Sequence, residues 1–203
     1  MQHILGNMYL HQQEVNTTYL EEKDMEYSEL IASRRSIRSF KENVSITRQE
    51  IEEIIRCAQQ APTWKNSQTG RYYIITSDEV RNDFLEKALP EGNKQKSTNA
   101  SALIVTTFEK NFSGFTNEGT PENELGNEWG AYDLGLQNAQ LILKARELGY
   151  DTLIMGIRNS DEIRKLLNVP ANQEIVAVIA IGKRVSDPAT PPRKQIEEIA
   201  KFF

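Results

Sequence analysis

Two apolar runs restrict what this chain can become more than any other feature in it. "ALIVTTF", from Ala102 to Phe108, and "EIVAVIAIG", from Glu174 to Gly182, carry almost no polar side chains and are rich in β-branched residues. Both fall far short of the roughly 18 apolar residues that would suggest a membrane-spanning helix. A short continuous run of this kind reads as a strand buried on both faces. "RYYIIT" from Arg71 and "TLIMG" from Thr152 supply two further strands.

Helical patterns separate these runs. "MEYSELIASRR" opens the first helix at Met25. Thr47 and Glu50 have the spacing of a capping box, and Ile51, Ile54, Ile55 and Ala58 follow at helical intervals as one buried stripe. Pro62 bars continuation, so "APTWKNSQ" is expected as a turn or loop. "SDEVRNDFLEKAL" reads as a helix capped by Ser77, and "SDEIRKLL" as one capped by Ser160. The longest helix runs from Glu128 to Leu148, is apolar around much of its circumference, and stops at Gly149; that places it centrally. Glu109 to Asn127 reads as a long loop, the class that holds lids. "DPATPPRK" leads to a short terminal helix. The order is a mixed α+β alternation rather than a strict βαβ series. Residues 1–24 are polar and weakly periodic and read as a disordered N-terminal extension, leaving 25–203 as a single domain.

Composition closes several routes to function. A net charge of -5 argues against a general nucleic-acid binder. No basic-then-apolar leader is visible, no membrane segment is expected, and the lone Cys57, read as a small buried hydrophobe, suits a reducing cytoplasm. The only two histidines, His3 and His11, lie in the N-terminal stretch. The core therefore lacks Ser-His-Asp and Cys-His machinery and most histidine-bearing zinc sites. If the protein is an enzyme, a cofactor carries the difficult chemistry.

Against that acidic background, "RRSIRSF" (34–40) packs Arg34, Arg35 and Arg38 around Ser36. They can converge where a helix ends and turns, and two or three charge-assisted hydrogen bonds, each worth roughly 1.5–3 kcal/mol, suffice to anchor a phosphate. A solvated helix end explains them equally well. Arg193 and Lys194 follow two prolines at the start of a helix, where positive charge opposes the helix dipole unless an anion is near. "APTWKNSQ" offers Pro62, Thr63, Trp64 and Asn66, able to cover and edge a heterocycle or simply to pack. "GNKQKSTN" supplies Asn93 and Lys96 from a segment otherwise readable as a solvated loop. A cation fixed there could sit beside a ring that becomes anionic on reduction. Neither Rossmann nor P-loop spacing occurs.

In order and spacing these motifs, with "YDLGLQNAQLILKARELGYDT", "LIMGIRN" and "IAIGKRV…PPRK", resemble the nitroreductase family of FMN-dependent NAD(P)H oxidoreductases from about Met25 to Phe203. The resemblance implies an α+β sandwich, a mainly antiparallel central sheet flanked by helices, working as an intertwined homodimer with FMN at the interface. It implies that Arg34, Arg35, Ser36 and Arg38 contact the flavin, and that Arg193 and Lys194 close on its phosphate. Asn93 and Lys96 would meet the pyrimidine edge, Met155 and Gly156 would present backbone to the reactive nitrogen, and Pro62, Thr63, Trp64 and Asn66 would reach across from the partner. It also implies a ping-pong reaction in which NAD(P)H reduces the flavin and a nitroaromatic, quinone or related small-molecule acceptor reoxidises it, with no catalytic side chain and no metal. Specialised relatives (flavin-destroying, dehalogenating or ring-oxidising) and a non-catalytic flavin binder share that clamp. The family motif continues with proline and tryptophan after the glutamine, whereas here Thr69 and Gly70 follow; the substrate pocket is where this chain should depart from its relatives.

Overall fold

The structure is a computed structural model describing residues 25–203. The N-terminal extension and both histidines lie outside the described residues. The elements in chain order are α1 (Tyr27–Ser33), α2 (Arg48–Ala58), a 3-10 turn (Trp64–Asn66), β1 (Gly70–Ile75), α3 (Asp78–Ala88), α4 (Glu91–Ser97) and β2 (Ala102–Glu109). There follow α5 (Glu128–Glu147), β3 (Asp151–Met155), α6 (Ser160–Leu167), β4 (Gln173–Gly182) and α7 (Ile196–Ile199). The four strands form one sheet in the order β1-β2-β4-β3, and every neighbouring pair is antiparallel.

The two apolar runs are the inner strands, which is why they cannot alternate polar and apolar. Leu103 and Val105 of β2, with Val178 and Ala180 of β4, face Phe84 and Leu85 of α3 and Ile163 of α6. Ala102, Ile104, Ile179 and Ile181 point the other way, onto Ile51 and Ile54 of α2 and Leu141 and Ala145 of α5. The period of two along each strand thus divides the core into two layers, one per sheet face. Between Thr106 and Thr107 the β2–β4 register slips by a bulge. No helix among the described residues is long and apolar enough to cross a membrane.

Thr47 and Glu50 form the expected capping box, with the Glu50 amide donating to the Thr47 hydroxyl at 3.2 Å and the Thr47 amide to the Glu50 carboxylate at 2.7 Å. Ile51, Ile54 and Ala58 are buried, and Ile55 only half so. Gly149 stops α5 in the left-handed region (φ +77), where Tyr150 N–H reaches Ala145 O at 2.8 Å and Gly149 N–H reaches Arg146 O at 3.0 Å.

Three local expectations need correction. Asn159, not Ser160, caps α6, because Asn159 holds the extended backbone of a cap while Ser160 is already helical; its side chain accepts from Glu162 N–H at 3.2 Å. Ser77 occupies the N-cap position of α3 as expected, with extended backbone, though its side chain makes no capping bond. "GNKQKS" is helical as part of α4, opened by Pro90 and not a loop, and Ser97 Oγ donates back to Asn93 O at 2.7 Å. Cys57 is half-exposed on α2 rather than buried. The buried face of α5 also includes Asp133, Gln137 and Asn138, so its central place is not purely apolar.

Candidate functional site

Between Ser33 and Arg38 the chain changes from helix to extended backbone. Arg34 N–H closes the last turn of α1 on Leu30 O at 3.2 Å, and the backbone then extends. Ser36 bridges Thr152 of β3, and Ile37 N–H donates to Thr152 O at 3.0 Å. This abrupt change of backbone lets three arginines close in sequence converge, as no continuous helix would. Arg34, Arg35, Ser36 and Arg38 form one side of a cleft of about 310 Å³; Pro188, Ala189, Pro191 and Arg193 form the other. Lys194 is exposed beside Arg193 but does not line the cleft.

The cleft is a concentration of uncompensated positive charge. Among the described residues none of Arg34, Arg35, Arg38, Arg193 and Lys194 makes an ion pair with a carboxylate. Burial, then the nearby Arg193 and Arg35 charges, push the Arg34 guanidinium below its ordinary pKa. That arrangement is unfavourable until an anion joins it. Arg35 differs from its neighbours, because it donates to Ala32 O at 2.6 Å, to Arg34 O at 2.7 Å and to the Thr190 hydroxyl. Its Nη2 contact with Thr190 ties one wall to the other, while its buried Nε has no partner among the described residues and, with Arg34, Arg38 and Arg193, remains available to a ligand.

Beneath the cleft lies a buried ion network that sequence reasoning missed. Asp151, 3% exposed, accepts from Arg184 Nε at 2.8 Å and from the Arg184 backbone amide at 3.2 Å, with Arg146 Nη1 at 3.4 Å. The Asp151 bonds raise the Arg184 pKa further, outweighing burial, and Asp187 adds to them. Charged residues 33 positions apart carry no pairing signal in one sequence.

A second group gathers at the end of β3. Asn93 Nδ2 donates to Ile157 O at 2.9 Å, so α4 docks where β3 ends, and Lys96 lies one turn on from Asn93. Met155 is buried and Gly156 exposed, with open space where a Cβ would stand. Arg158 donates to Gly156 O at 2.7 Å and fixes that carbonyl, a role not read from the sequence.

The third group stands apart from the cation cleft. Trp64 N–H donates to the buried Asp133 carboxylate of α5 at 2.9 Å, and its ring meets Trp129 with centroids 4.7 Å apart. Thr63 Oγ1 accepts from Gln68 N–H at 3.1 Å, while Lys65, Asn66 and Gln68 all hold positive φ. Asp133 therefore latches a turn whose backbone is strained at three residues. Pro62 and Asn66 are exposed at its surface. Thr69 is buried with its hydroxyl 3.3 Å from Ser113 Oγ, and a Cβ on Gly70 would stand 1.9 Å from Gln137 Oε1. The departure from the family motif is thus structural: Gly70 leaves the room that the Gln137 side chain fills.

Comparison with known proteins identifies the family. The family model described as "Nitroreductase family" matches residues 31–183. Bacillus subtilis YdgI, named as an NAD(P)H nitroreductase, is 27% identical over 89% of this chain and 99% of its own length. Protein DrgA of Synechocystis sp. is 27% identical over 80% of this chain and 86% of its own. A crystal structure from Exiguobacterium sibiricum, solved in complex with FMN, superposes with a TM-score of 0.79 at 25% identity, covering 88% of this chain and 98% of that one. The chain belongs to the nitroreductase family.

Proposed function

We propose that this protein is an FMN-dependent NAD(P)H oxidoreductase that reduces nitroaromatic, quinone or related acceptors in the cytoplasm. The observation that carries the reading is the meeting of Arg34, Arg38 and Arg193 in one cleft without a neutralising carboxylate among the described residues. The FMN bound in the Exiguobacterium structure and the NAD(P)H in the name of YdgI support the same cofactor and co-substrate here.

Arg34, Arg38, Arg193 and the Ser36 hydroxyl would hold the phosphate, with Lys194 adding charge at its rim. Asn93, Lys96 and the Met155–Gly156 backbone would meet the ring system. When bound, FMN supplies the redox chemistry, taking hydride from the nicotinamide and passing electrons to the acceptor in a separate, ping-pong half-reaction. The chain's own contribution is position and charge. Lys96 would offer positive charge where negative charge develops on the ring, and Arg158 keeps the Gly156 carbonyl in place.

The same reading makes the working form a homodimer in which Pro62, Thr63, Trp64 and Asn66 serve the second subunit's flavin. Exposed apolar groups support it: Ile157 is 75% exposed and Phe202 88%, with Ile196 and Ile199 also uncovered on the C-terminal arm. Such surface on a single chain favours association.

Anaerobic mixing of the FMN-loaded protein with NADH or NADPH tests the function. The visible flavin band should bleach and return when a quinone is added. Bound FMN that never bleaches with either nucleotide would make this a flavin-binding protein without the activity.

A further inference from the structure

The two walls of the cation cleft come from opposite ends of the chain, and like charges on Arg34 and Arg193 push them apart. The far wall, Asp187 to Gln195, is exposed throughout, so packing does little to hold it. Arg184 spans the gap. Its Nη2 donates to Ser33 O at 3.2 Å, immediately before Arg34, and also to Asp151; its Nη1 meets Asp187, immediately before Pro188; its Nε reaches Asp151 at 2.8 Å. Arg146 adds a second hold on the same turn through the Ser33 hydroxyl at 3.2 Å. One planar fork thus ties the end of α1, the start of β3 and the proline segment, which no single ammonium can do.

We propose that Arg184 is the positioning residue that sets the width of the cleft and thereby its selectivity for a flavin carrying a phosphate, with the Arg35–Thr190 contact as a second, parallel tether. This rests on the flavin reading above. Arg184 is 14% exposed at its side chain and need touch no ligand; its effect passes through Arg34 and Arg193.

The test is the ratio of FMN to riboflavin affinity, which general loosening of the fold does not move. Arg184→Lys keeps a positive charge for Asp151 but loses the fork. It should raise the FMN Kd about tenfold, the scale of one lost charge-assisted hydrogen bond, and change the riboflavin Kd less than about twofold. Asp187→Asn, at a side chain 82% exposed, should raise the FMN Kd alone by about two- to fivefold. Combined with Thr190→Val, it should raise it by about tenfold. A folded Arg184→Lys protein with the wild-type ratio would overturn the proposal. If that variant fails to fold, the Asp187→Asn/Thr190→Val pair decides in the same way, since an unchanged ratio there overturns it too. Wild-type protein that binds FMN no better than riboflavin would instead remove the phosphate reading, and this inference with it.

Discussion

Arg34 is held where burial and two neighbouring cations all disfavour its charge, and a bound anion would recover the free energy of that crowding. Arg193→Ala should therefore weaken FMN by about 10- to 100-fold while costing riboflavin little, as parallel titrations of the apo-protein would show. Equal losses would assign Arg193 to packing. The arginines of 34–38 and Arg193 were legible in the sequence because they are concentrated in a chain otherwise acidic. What each one does was not. Arg35 looks like its neighbours in sequence, yet its Nη1 and Nη2 go to Ala32, Arg34 and Thr190. Asp151 and Arg184 could not be singled out, because they are brought together only by the pairing of β3 with β4; Arg158 reaches Gly156 just two residues away, but an arginine in a turn carries no sign of which carbonyl it holds.

At the scale of elements, signals confined to one turn were legible and those needing context were not. The capping box of α2 was readable from two residues, and Thr47→Ala should cost about 1 kcal/mol in urea unfolding at neutral pH. Burial raises the Glu50 carboxyl pKa, but bonds from the Thr47 side chain and amide and from Tyr150 outweigh it, leaving the value below 4.5. A carboxylate with a lowered folded-state pKa stabilises above its unfolded value and loses that contribution as pH falls through the folded one. The penalty for Thr47→Ala should accordingly shrink in acid, which the same unfolding curves at low pH would show.

Tyr150 shifts the other way. Burial and its 3.0 Å bond to Glu50 push its hydroxyl from 10.0 up to about 12. Its contribution is present below the unfolded pKa and lost as pH rises from 10.0 to about 12. Tyr150→Phe should be less stable than wild type at pH 7 by about 1 kcal/mol and flatten the alkaline fall in stability. By contrast, α4 escaped sequence reading because Gly92 and Asn93 are weak helix formers. Pro90 and the Ser97 back-bond give that helix its limits.

For the whole molecule, periodicity identified all four strands but not their order, since β1-β2-β4-β3 depends on which edges meet. The sandwich and the dimer came instead from resemblance to a family. Light scattering should give a particle of twice the 23.2 kDa chain mass. Removing residues 196–203 should weaken that dimer and, with it, FMN retention on gel filtration. A truncated chain that stays fully dimeric would place the interface elsewhere. The cation cleft is tested by a calorimetric titration of apo-protein with FMN and, in parallel, riboflavin at low ionic strength. The cleft predicts FMN bound at least about tenfold more tightly, an advantage that narrows as salt screens the arginines. Equal affinities at every salt concentration would contradict it.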